Sequence, residues 1–110
     1  REYTKLSEVQ KIEFIQNYWD INYDSNKTIL VSDLFKEFYS RIEHVNIHFK
    51  DLSKEGWNSD RGRVYIIYGK PFSIKNEFTS DGEYEIWLYK NNQQFVFVNR
   101  FGTYVLTSHN

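Results

Sequence analysis

The sequence predicts an α+β domain in which an N-terminal helical pair packs on one face of a C-terminal antiparallel sheet of three to four strands. Three observations carry this expectation. The apolar period changes from about 3.6 residues to about 2 near the middle of the chain. Aromatic residues make up 19% of the sequence, with nine Phe, nine Tyr and three Trp, types that suit pleated, half-buried surfaces. The order helix, helix, then meander segregates helices from strands, the pattern of an α+β layer structure. A sheet curling toward a small barrel is the alternative.

Leu6, Val9, Ile12, Ile15 and Trp19 recur at three- and four-residue spacing, which gathers them on one face of a first helix. Ser7 and Gln10 are placed for a capping box at its start. The run Ile21-Asn22-Tyr23-Asp24-Ser25-Asn26 is rich in side chains that bond their own backbone and marks its end. A second helix carries Leu30, Leu34, Phe38, Ile42, Val45 and Phe49 on one stripe, with Lys36, Glu37, Glu43 and Asn46 opposite.

A turn rich in Gly, Asn, Ser and Asp, Gly56 to Gly62, then launches a first strand over Arg63–Tyr68, which Gly69 and Pro71 stop. A loop follows from Lys70 to about Gly82, with Thr79-Ser80-Asp81-Gly82 as its turn. The remaining strands are Glu83–Tyr89, Gln94–Asn99 and Thr103–Thr107. Asn91-Asn92 suits a two-residue hairpin, because Asn tolerates positive φ. That turn sets Leu88 opposite Phe95, Ile86 opposite Phe97 and Trp87 opposite Val96. Tyr84, Ile86, Leu88, Phe95 and Phe97 then face the helices, and Glu85, Trp87, Tyr89, Val96 and Val98 face away. A second face so apolar needs a cover: a loop, another domain or a partner.

The 110 residues form a single domain over 1–110, large enough for a core without staples. A net charge of −1 gives no electrostatic reason for a nucleic-acid partner. No apolar run is long enough to insert this segment into a membrane. With no cysteine, disulfides, thiolate nucleophiles and Cys-ligated zinc are excluded, which fits either redox compartment. The absence of methionine points to a mature fragment or a domain excised from something longer.

No motif for a cofactor or resident metal is found. His44 and His48 have the i, i+4 spacing of a zinc pair, but Val45, Asn46 and Ile47 lie between them and supply neither a general base nor a third ligand. No serine sits in a Gly-x-Ser-x-Gly elbow. Gly56 and Gly62 are not followed by the Lys-Ser/Thr ending of a phosphate loop. For the turn itself, the plain reading is that Asn58, Ser59 and Asp60 bond the loop's own amides while Trp57 plugs the core. The sharper reading makes Trp57, Tyr65, Tyr68 and Trp87 an aromatic platform for a glycan or peptide. A hydrolase would use Asp60 and Glu85 as its carboxyl pair, with Arg61 as electrostatic support.

Trp19-Asp20, Phe38-Tyr39-Ser40-Arg41, Phe49, Gly56-Trp57-Asn58-Ser59-Asp60-Arg61-Gly62, Tyr65-Ile66-Ile67-Tyr68-Gly69-Lys70-Pro71 and Tyr84-Glu85-Ile86-Trp87 together resemble the GWxTD domain family. This bacterial family, known mainly from the Bacteroidetes, is named for a Gly-Trp-x-Thr-Asp motif. Ser59 stands where the motif has Thr and keeps its hydroxyl, and no proline-rich run follows Asp20. The resemblance implies a cell-envelope setting, periplasmic or outer-membrane associated, or a secreted one. It also implies a place in the C-terminal part of a longer exported protein, and no known reaction. The expectation is a non-enzymatic structural or protein-interaction module whose partner is a protein or another domain of the same polypeptide. Its structural residues would be Gly56, Trp57, Ser59, Asp60, Arg61, Gly62, Tyr65, Tyr68, Gly69 and Pro71. Its binding face would be Glu85, Trp87, Tyr89, Val96 and Val98. The alternative is a glycan- or peptide-binding or hydrolytic domain using an aromatic platform with Asp60 and Glu85.

Overall fold

The computed structural model describes residues 8–23, 31–50 and 55–109. These residues form helices α1 (Glu8–Asn22) and α2 (Val31–His48), a 3₁₀ turn (Gly56–Asn58), helix α3 (Asp60–Tyr68), and strands β1 (Ser73–Thr79), β2 (Gly82–Leu88), β3 (Gln94–Arg100) and β4 (Thr103–His109). The strands make one antiparallel meander in the order β1-β2-β3-β4. Helices preceding a four-stranded antiparallel sheet give the expected α+β arrangement.

Among the described residues the helical layer contains three α-helices rather than a pair. Arg63–Tyr68, expected as the first strand, is the body of α3. Its end signals are helical. Ser59 is extended (φ −75°, ψ 157°) and its side chain accepts a hydrogen bond from the Gly62 N–H, an N-cap. Asp60 sits in the first turn, where the helix dipole favours a carboxylate. Gly69 ends the helix at φ 82°, a left-handed value that suits glycine, with its N–H donating to the Tyr65 carbonyl. Gly69 and Pro71 therefore stop a helix, not a strand. The β-branched and aromatic run survives in α3 because the helix is buried on two sides. Ile66 enters a cluster with Phe14, Tyr18, Leu34, Phe38, Ile42, Val45 and Trp57, whereas Val64 joins Trp87, Phe95 and Phe97 on the sheet. Such a helix shows no one-sided stripe. Phe49 and Tyr65 touch both clusters.

In α2 the expected stripe holds: Leu34, Phe38, Ile42 and Val45 are buried and Lys36, Glu37 and Glu43 exposed. Asn46 is the exception, half-buried and bonded to the Trp57 N–H. In α1 the register differs. Val9 and Ile12 are 66% and 65% exposed, and the helix buries Phe14 and Tyr18 instead, with Ile15 and Trp19 at the margin. Two overlapping stripes were present, and the one packed is that of Phe14 and Tyr18, whose rings meet aromatic partners across the layer, Phe14 against Trp57 and Tyr18 against Phe38. Leu6, Ser7, Leu30 and Asp24 to Asn26 lie outside the described residues.

Two corrections concern the sheet. The segment expected as a loop from Lys70 to Gly82 contains β1, hairpin-paired to β2 with Thr79 opposite Gly82. The β2–β3 connection closes on a hydrogen bond from the Tyr89 N–H to the Gln93 carbonyl, leaving three residues in the loop, not two. Asn92 alone takes positive φ, 66°, as the last residue of that loop. The pairing consequently slips by one: Trp87 is opposite Phe95, Ile86 opposite Val96 and Glu85 opposite Phe97. A slip of one exchanges faces. Glu85, Trp87, Phe95 and Phe97 point to the helices. Tyr84, Ile86, Leu88, Val96, Val98 and Val105 make the other face, on which no described helix packs.

Candidate functional site

The segment Gly56 to Arg63 is a joint between the helices and the sheet. The 3₁₀ turn lies on the end of α2 so closely that a Cβ on Gly56 would overlap the Val45 carbonyl oxygen and stand 2.6 Å from Asn46 Cα. Trp57, 6% exposed, packs edge-on to Phe14. Its backbone N–H donates to Asn46 Oδ1 at 2.8 Å and its indole N–H to Glu55 Oε2 at 3.3 Å. Ser59 is fully buried; its hydroxyl donates to the Gly56 carbonyl at 2.8 Å and accepts from the Gly62 N–H at 2.9 Å. Ser59→Ala leaves the Gly62 N–H without its acceptor and the Gly56 carbonyl with only the Ser59 N–H at 3.2 Å, and should destabilise the domain by about 1–2 kcal/mol. A urea titration checks this, and a change within about 0.3 kcal/mol would show that the hydroxyl is dispensable.

Asp60 does not bond its own loop. Its Oδ2 accepts the Leu106 N–H of β4 at 2.7 Å, tying the start of α3 to the sheet edge. Arg61 lies with its guanidinium 3.9 Å over the Tyr104 ring and 5.2 Å from that of Phe49, and reaches Glu85 Oε1 at 3.4 Å. The same Glu85 oxygen accepts the Trp87 indole N–H at 2.8 Å. Asn58 Oδ1 accepts from Arg63 at 2.9 Å.

The other end of α3 is closed as carefully. Arg41, paired to Glu37 at 2.8 Å, donates to the Ile66 carbonyl at 3.0 Å and the Ile67 carbonyl at 3.4 Å. Asn22 of α1 also donates to the Ile67 carbonyl, at 2.8 Å. The Tyr89 hydroxyl donates to the Gly69 carbonyl at 2.7 Å, and burial pushes its phenol well above the usual range. A cation at a helix C-terminus opposes the dipole there, so Arg41 acts on α3 as both donor and charge. Tyr68 packs on Phe95 and Tyr89, and Pro71 is buried.

The expected binding face is not one surface. Trp87 is fully buried, packed against Phe49, Tyr65 and Phe97, and Glu85 lies on the same side. Val96 and Val98 belong to the opposite face with Ile86 and Tyr84. Nor do Trp57, Tyr65, Tyr68 and Trp87 form an exposed platform, because Trp57 and Trp87 are both core. Chemically, the two candidate carboxylates are committed to structural partners. A groove of about 610 Å³ opens beside the end of α3, lined by residues including Ile21, Tyr68, Lys70, Phe72, Tyr89 and Lys90, and neither Asp60 nor Glu85 borders it. His44 stacks on Tyr65 at 4.4 Å and lies 4.4 Å from the His48 ring. Burial, with the neighbouring His48 and Lys70 charges, holds the His44 imidazole below its ordinary value. Among the described residues no three His, Cys, Asp or Glu side chains gather to hold a metal ion. No helix among them is long and apolar enough to cross a membrane.

Sequence reasoning missed Arg41, Asn22 and Tyr89 as caps of α3, whose partners lie 20 or more residues away. The presence of Arg41 in a quoted motif was the one available signal. Compared with known families, residues 1–108 match the GWxTD domain. No curated protein and no solved structure matches the chain.

Proposed function

This chain belongs to the GWxTD domain family, and on that premise we propose that it is a non-enzymatic structural or protein-interaction module of a bacterial cell-envelope or secreted protein. The observation that carries this reading is the commitment of the signature. Ser59, Asp60, Arg61 and Glu85 each hold another part of the fold, and Trp57 and Trp87 are core, so the motif is spent on building the joint. A carboxyl pair for glycoside hydrolysis needs an open cleft between its members. Asp60 is tied to β4 and Glu85 to Arg61 and Trp87 instead.

What the domain offers outward is the sheet face with Tyr84, Ile86, Leu88, Val96 and Val105, apolar and only partly covered. Apolar surface of this kind, here around a buried Val98, serves contact with protein. Its partner is another protein or a neighbouring domain of the polypeptide that carries it. The absence of cysteine makes the test direct. Ile86→Cys places a single thiol on this face, and its alkylation rate is measured in the isolated domain and in the full exported polypeptide. Fast labelling in the first and labelling slowed at least about tenfold in the second is expected, because burial blocks thiol access. Equal rates, together with turnover of an envelope polymer that disappears in Asp60→Asn, would replace this reading with the hydrolytic one.

A further inference from the structure

The two edges of the sheet are treated differently. At the β4 edge the Leu106 N–H, which points away from β3, is taken by Asp60. At the β1 edge no described residue pairs with the backbone, and Ile74, Lys75, Asn76, Glu77, Phe78 and Thr79 are all exposed. An unpaired strand edge is a template for another strand.

The alternation of hydrogen bonds says which groups that edge presents. The Tyr89 N–H bonds the Gln93 carbonyl, so the odd-numbered residues of β2 direct their backbone to β3 and the even-numbered ones to β1. The partners of those even-numbered residues are Ser73, Lys75, Glu77 and Thr79. Ile74, Asn76 and Phe78 therefore direct their N–H and carbonyl groups outward. The side chains alternate with them. Lys75 and Glu77 share the face of Ile86 and Tyr84, whereas Ile74 and Phe78, 46% and 77% exposed, share the face of Trp87.

We infer that β1 pairs antiparallel with β1 of a second copy of this chain, about a two-fold axis at Asn76, joining two sheets into one of eight strands. In that register every outward backbone group is matched. Lys75 stands opposite the partner's Glu77 and Glu77 opposite the partner's Lys75, and on the other face Ile74 stands opposite the partner's Phe78. Moving the axis one residue either way sets Lys75 against the partner's Lys75, or Glu77 against the partner's Glu77. Like charges directly opposite each other oppose pairing. The charge pattern therefore selects the occupant, since the strand is complementary to itself. The surface is distinct from the open face of the preceding section, and the two stand or fall separately.

The test is sedimentation equilibrium of the purified chain up to about 1 mM, since a single strand edge is a small interface. The expected result is a reversible dimer. Lys75→Glu and Glu77→Lys, both at exposed positions, should each weaken it about tenfold or more by turning two attractive pairs repulsive. Mixing the two variants should restore association, because the heterodimer sets opposite charges across again. Unchanged thermal unfolding of each variant, measured at a concentration where the chain is monomeric, shows that it folds. A monomer throughout the range overturns the inference. So does a dimer indifferent to both charge changes, or one that mixing fails to rescue.

Discussion

Trp87→Ala is expected to cost about 3–5 kcal/mol of stability, the range for emptying a fully buried Trp site. The indole of Trp87 has no exposed surface and meets Phe49, Tyr65 and Phe97 with ring centroids 5.4, 6.4 and 5.0 Å away. These come from the residue that follows α2, from α3 and from β3, so one side chain joins three parts of the fold. The mutation also removes the indole N–H from Glu85, leaving that half-buried carboxylate with the Arg61 guanidinium at 3.4 Å. Neighbouring bulk relaxes only in part around such a hole, which is why the cavity adds to the lost transfer energy. Urea unfolding followed by circular dichroism measures it. Ile86→Ala, one residue away on the open face, is the matched control and should cost clearly less. If Trp87→Ala costs under about 1 kcal/mol, the faces of β2 have been assigned the wrong way round.

That pair of neighbours also shows where the sequence was legible and where it was not. Alternation along β2 and β3 was plain, and α2 announced its buried stripe from Leu34 to Val45. The side of β2 that meets the helices depended on one loop residue. Counting Asn91-Asn92 as the whole turn gives one register, and adding Lys90 gives the other. Nothing local distinguishes them, because Asn92 supplies the positive φ in both cases. Helix α3 was hidden for a different reason. Its cap signals, Ser59 and Gly69, are legible in retrospect, but Val64-Tyr65-Ile66-Ile67-Tyr68 has strand composition. Burial between two layers removes the one-sided period that would have marked a helix. The edge strand β1 was missed because Lys75, Asn76 and Glu77 make it polar. Exposure on both faces gives a strand no reason to alternate. Within the joint, Trp57 and the Ser59 hydroxyl were foreseen as plug and turn bond. The reach of Asp60 to β4 was not, since a contact spanning 46 residues leaves no local trace.

Gly62→Ala decides whether the signature is a packing device. In an exposed helix this change would stabilise by about 1 kcal/mol, because Ala is the better helix former. Here the opposite sign is expected. A Cβ at Gly62 would overlap the Gly56 carbonyl oxygen and approach Ser59 Oγ to 3.0 Å. That carbonyl is no flexible side-chain tip. It accepts from the Ser59 hydroxyl at 2.8 Å and the Ser59 N–H at 3.2 Å, and its own residue is pinned against α2 by the close approach of Gly56 to Val45. Relief requires moving the 3₁₀ turn off α2 or the start of α3 off the turn. The first move withdraws Trp57 from the helical cluster, and the second pulls Asp60 from Leu106. Either loses several kcal/mol of packing and buried hydrogen bonding, so a net loss above about 3 kcal/mol is expected despite the propensity gain. Thermal unfolding monitored by tryptophan fluorescence reads it, since Trp57 reports on the joint itself. A Gly62→Ala chain as stable as the original would mean that the two glycines are free of the joint, and that the signature serves something other than the fold.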